Sequence, residues 1–66
     1  MKIIVNGKER DVSEDTTVLG LLKVLDIKPQ GIAVELNLEI VSKSKFAETV
    51  LNDGDKVEIV RMVGGG

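Results

Sequence analysis

Thr17-Val18-Leu19-Gly20-Leu21-Leu22-Lys23-Val24-Leu25 is the stretch on which the fold turns. Val18, Leu21, Leu22 and Leu25 recur at i, i+3, i+4 and i+7, which puts four apolar side chains on one stripe of an amphipathic helix. Leu19 and Val24 fall off that stripe. Thr17 or Asp15 is placed to cap the helix by accepting from its first backbone N–H groups. Gly20 sits inside the helix at a cost of about 1 kcal/mol relative to Ala. Pro29 and Gly31 are expected to end the helical region and turn the chain.

Moving outward toward the N-terminus, Met1 to Val5 is rich in β-branched residues and reads as a strand. Asn6-Gly7 follows, the pair best suited to a type I′ hairpin turn, in which both central residues need positive φ. Lys8 to Val12 is then a polar second strand, whose charges suit a sheet edge. Toward the C-terminus, Ile32 to Leu36 reads as a third strand and Glu39-Ile40-Val41 as a short fourth, with a turn at Asn37-Leu38. Lys43 to Val50 holds a short helical turn with Phe46 as its core anchor. Asn52-Asp53-Gly54-Asp55 is a tight turn. Lys56 to Met62 is the last strand, with Val57 and Ile59 on one face. One helix can cover one face of a mixed sheet, giving a two-layer α+β domain. The first and last strands are the most apolar and are expected to be the central pair. That arrangement is a β-grasp over residues 1–63. Residues 64–66 are expected to be a flexible C-terminal glycine tail.

The 66 residues include no His, Cys, Trp or Tyr and a single Phe. Disulfides, Cys/His zinc sites, thiol nucleophiles and Ser-His-Asp triads are thereby excluded. Nine basic and eleven acidic residues leave a net charge of −2. An acidic chain with one aromatic residue is a poor nucleic-acid binder. No apolar run is long enough to span a membrane, and nothing resembles a secretory signal. The expected compartment is the cytoplasm, and the expected free state is a monomer.

The acidic and hydroxyl residues offer little chemistry of their own. Asp53 and Asp55 flank Gly54, but a calcium loop needs further oxygen ligands and a distal Glu, so a plain turn is the reading. Glu9, Asp11, Glu14 and Asp15 form an acidic run. It reads as a solvated face, with steering of a basic partner as the alternative. Ser13, Ser42 and Ser44 have no base to activate them. Gly64-Gly65-Gly66 has no following helix and so is not a phosphate loop. Three terminal glycines add nothing to a core. Without Cβ atoms, however, they can thread a narrow channel and present the Gly66 carboxylate to another protein's catalyst. ATP would activate that carboxylate as an acyl-adenylate, which a sulfur or nitrogen nucleophile can attack.

Several residue groups, in order, carry a family resemblance. They are Ile3-Ile4-Val5-Asn6, Thr17-Val18 with Leu21-Leu22, Ala33-Val34-Glu35-Leu36-Asn37, Ile40-Val41, Phe46, and the run from Asp53-Gly54-Asp55-Lys56-Val57-Glu58-Ile59-Val60 into Val63-Gly64-Gly65-Gly66. Over its whole length the chain resembles the ThiS-type, ubiquitin-like sulfur carriers of thiamin biosynthesis. Phe46 sits where that family often has Trp. Two departures are Ser42-Lys43, where the family commonly has Pro followed by Arg or Lys, and Gly20, where it often has Glu in a capping box with Thr17.

The resemblance implies that Gly66 carries the modification and that Gly64 and Gly65 give it access. A ThiF-type adenylyltransferase, related to ubiquitin-activating enzymes, would adenylate Gly66 with ATP and magnesium. Persulfide sulfur from cysteine would then make a thiocarboxylate, and a ThiG-type thiazole synthase would consume it. The chain would be a covalent co-substrate, not an enzyme, and would bind no cofactor or metal itself. A molybdopterin-type carrier and a protein modifier conjugated through Gly66 are the alternatives. Strand alternation sends Ile4, Val60 and Met62 outward if Ile3, Val5, Val57 and Ile59 face the helix. The expected docking patch for the adenylating partner is therefore Ile4, Val60 and Met62.

Overall fold

The computed structural model describes residues 1–62. The expected boundary at 63/64 and the glycine tail lie outside them. Five strands, β1 (Lys2–Val5), β2 (Lys8–Asp11), β3 (Ile32–Leu36), β4 (Glu39–Val41) and β5 (Lys56–Arg61), form one sheet in the order β2-β1-β5-β3-β4. β1 and β5 run parallel, and the other neighbours are antiparallel. The apolar first and last strands are thus adjacent, and polar β2 lies at an edge, as expected from composition. Asn6 and Gly7 take φ of 49° and 83°, as a type I′ turn requires. The sheet is mixed and one helix, α1 (Val18–Val24), packs on one of its faces.

Side-chain alternation divides the sheet into a packed face and a bare one. Ile3, Val5, Ile32, Val34 and Val57 meet Val18, Leu21 and Leu22 of α1 in the core, together with Phe46 and Leu51. Burying a side chain of this size stabilises the fold by about 1.5–3 kcal/mol. The expected stripe is therefore the buried one, except that Leu25 is only half-buried at the helix end.

The start of α1 is closed by side chain and loop together. Thr17 Oγ1 accepts from the Gly20 N–H at 3.0 Å. The N–H groups of Val18 and Leu19 are donated to the carbonyls of Thr49 and Phe46. These groups would otherwise be unpaired, so the Lys43–Val50 loop caps the first turn alongside the Thr17 side chain. That loop contains a 3₁₀ turn, Lys43–Lys45, and Phe46 behind it is buried.

The helix stops earlier than Pro29 and Gly31. Asp26 takes φ of 58°, its N–H is donated to the Lys23 carbonyl, and the Ile27 N–H is donated to the Leu22 carbonyl. This is a Schellman closure. Asp occupies the left-handed position usual for Gly, which its short polar side chain tolerates.

Candidate functional site

β5 is the last described strand, and with its neighbours it frames the exposed apolar surface of the sheet. Its neighbours hold it unequally. On the β3 side it is paired from Lys56 to Met62, ending with the Met62 N–H donated to the Gly31 carbonyl at 2.9 Å. On the β1 side, register pairing covers only Lys56 and Val57. The side chain of Asn6 then replaces the missing strand. Its Oδ1 accepts from the Ile59 N–H at 2.7 Å, and its Nδ2 donates to the Ile59 carbonyl at 3.2 Å. One amide thus satisfies both backbone groups of Ile59, as a paired residue would.

The opposite end of the sheet is bound together by polar side chains. Asp53 Oδ1 accepts from the Lys2 N–H and Asp55 Oδ2 accepts from the Asn52 N–H, both at 2.7 Å. Asn37 donates to Asp55 Oδ1 and accepts from the Lys56 N–H. Asp53 and Asp55 are therefore turn residues, with one oxygen of Asp53 and both of Asp55 occupied by the chain itself. Among the described residues no cluster of acidic side chains is arranged to hold a metal ion. No helix among the described residues is long and apolar enough to cross a membrane.

The bare face of the sheet carries the exposed apolar residues. Val60 and Met62 are 52% and 59% exposed. Ala33 lies directly opposite Val60. Ile40, 76% exposed, lies opposite Glu35 on the same face and diagonal to Ala33. Ile4 shares the face but not the cluster. It is half-buried and opposite Lys56, about 13 Å along the strand from Val60. Ile40 is the residue that sequence reasoning missed. Its signal was the parity of Glu39-Ile40-Val41, with Val41 inward.

Two carboxylates border this cluster. Glu35 on β3 and Glu58 on β5 are directly opposite one another, an arrangement of like charges that weakens a sheet. The acidic run of the opening residues is dispersed. Glu9 and Asp11 lie on β2 opposite Ile4 and Lys2, and Asp11 pairs with the Lys2 ammonium at 3.5 Å. Gly64, Gly65 and Gly66 lie outside the described residues.

The ThiS family model matches residues 3–66. A crystal structure of the thiamine biosynthesis protein ThiS from Geobacter metallireducens superposes with a TM-score of 0.89 at 38% identity, covering all of both chains. The sulfur carrier protein ThiS of Bacillus subtilis is 40% identical over 63 residues, spanning 94% of this chain and 96% of that one. A thiazole synthase from Paramagnetospirillum magneticum is 52% identical over all 66 residues, but the chain spans only 20% of that protein's length. A family model that covers nearly the whole sequence, and a solved ThiS that superposes over the full length of both chains, lead to one assignment: the chain belongs to the ThiS family.

Proposed function

We propose that this chain is a sulfur carrier of thiamin biosynthesis. The Gly66 carboxylate attacks the α-phosphorus of ATP on a ThiF-type partner, releasing pyrophosphate and leaving an acyl-adenylate. The outer sulfur of a cysteine-derived persulfide displaces AMP to form an acyl disulfide, and a partner thiol then cleaves its S–S bond, releasing the thiocarboxylate and leaving a disulfide. A ThiG-type thiazole synthase then takes that sulfur. The observation that carries this reading is the family match, which runs through the tail to residue 66. The thiazole synthases that contain a region similar to this chain support the last step. ATP and magnesium belong to the partner's site; the carrier supplies the carboxylate and the surface that is recognised.

The docking surface is the apolar cluster of Val60, Met62, Ala33 and Ile40. An apolar centre beside Glu35 and Glu58 suits a partner that offers an apolar pocket with basic groups on its rim. Intact-mass spectrometry tests the chemistry. Incubation with ATP, magnesium, a ThiF-type enzyme, a persulfide donor and a thiol reductant should replace one oxygen of the chain by sulfur, located at Gly66. No replacement would overturn the reading, and conjugates of higher mass would favour a protein modifier. Val60→Asp should abolish ATP–pyrophosphate exchange while leaving the circular dichroism unchanged. Unchanged exchange kinetics would exclude this patch.

A further inference from the structure

The helix side of the sheet carries a second, separate surface. A groove of about 300 Å³ opens beside the β1–β2 hairpin, with Val5 and Ile59 on its floor, Leu25 and Ile27 on one wall and Lys8 and Arg10 on the other. Leu25, Ile27 and Ile59 are half-buried, so α1 leaves this part of the core face uncovered. Register explains the basic wall. Val5 lies opposite Lys8 and Ile3 opposite Arg10, so both cations share the face of the core residues. The ion pairs among the described residues are Lys2–Asp11 and Lys45–Glu48. Among the described residues neither Lys8 nor Arg10 has an ion-pair partner, in a chain of net charge −2.

We propose that this groove docks an acidic, apolar segment of a partner protein. An apolar side chain of the segment lies between Leu25, Ile27 and Ile59, and its carboxylates meet Lys8 and Arg10. Charge complementarity selects this occupant over a second copy of the chain. Two copies joined antiparallel along their β2 edges would pair residues of the same face. Wherever two of these charged residues face each other in such a pairing, cation meets cation or carboxylate meets carboxylate, which is repulsive. The surface is on the opposite side of the sheet from Val60, so one partner can hold the groove while another holds the apolar cluster.

The test is an NMR titration of the full chain, ¹⁵N-labelled, at low salt with a short capped peptide alternating Glu and Leu. Saturable amide shifts are expected at Lys8, Arg10, Leu25, Ile27 and Ile59. Affinity should fall by about tenfold or more in Lys8→Glu/Arg10→Glu, since charge pairs at a docking rim respond directly to reversal, and should fall again as salt is raised. The milder Lys8→Ala/Arg10→Ala, at exposed positions, should shift affinity in the same direction. Any of four results would overturn the proposal: no saturation at millimolar peptide, shifts centred on Val60 and Ala33, undiminished binding by both double variants, or concentration-dependent dimerisation through β2.

Discussion

The two faces of the sheet are built from the same strands, one residue apart, and they have opposite chemistry. The helix-side face, apart from its groove at the hairpin end, is closed by Val18, Leu21 and Leu22. The other face carries Val60, Met62 and Ile40 in solvent and sets Glu35 against Glu58. Residues of the first face hold the fold together. Those of the second contribute little to it, and one pair opposes it. In a domain this small, where folding leaves only a few kcal/mol in hand, an exposed apolar cluster beside a repulsive carboxylate pair is better explained by contact with another molecule than by stability.

This division can be broken by mutation. The largest effect belongs to the packed face: Leu21→Ala should destabilise by about 2–5 kcal/mol, as truncation of a buried Leu does, and urea denaturation would read it. Asn6→Gly comes next. It keeps the positive φ but removes both bonds to Ile59, and should cost about 1–2 kcal/mol. Amide exchange at Ile59 should accelerate more than at Val34. Leu38→Gly has the opposite sign. Leu38 is 90% exposed and takes φ of 72°, a conformation that opposes its side chain by about 1–2 kcal/mol. Part of the relief is lost to glycine's freedom in the unfolded chain, so a net gain below about 1 kcal/mol is expected in the same denaturation series. The smallest effect is that of Val60→Asp on stability, within about 0.5 kcal/mol. A loss comparable to that of Leu21→Ala would mean that the bare face is part of the core after all.

Short-range signals carried most of the fold. Asn6-Gly7 specified its hairpin, the spacing of Val18, Leu21 and Leu22 specified the buried stripe, and the apolar character of the first and last strands located the centre of the sheet. The helix stop was less legible, because Asp26 takes a position for which glycine is the usual signal. The register between β1 and β5 was not legible at all. Parity could send Ile4 and Val60 to one face, but only the pairing of Ile4 with Lys56 separates them along the strands. The same limit hid Ile40, whose place in the cluster depends on β3 lying between β4 and β5. The basic groove was invisible for a related reason: Lys8 and Arg10 read as polite edge charges until the register with Val5 and Ile3 turned them toward the helix.

The amide of Asn6 also bears on chemical ageing. In an Asn-Gly dipeptide the glycine nitrogen can close readily on the preceding side-chain carbonyl, expelling ammonia and later yielding aspartate or isoaspartate. Here the side chain is held away from that attack by Ile59. Once hydrolysed, it would no longer have an N–H to offer the Ile59 carbonyl and would place a negative charge against it. The hairpin therefore protects its own most perishable bond, and a preparation that has lost its fold should spoil there first.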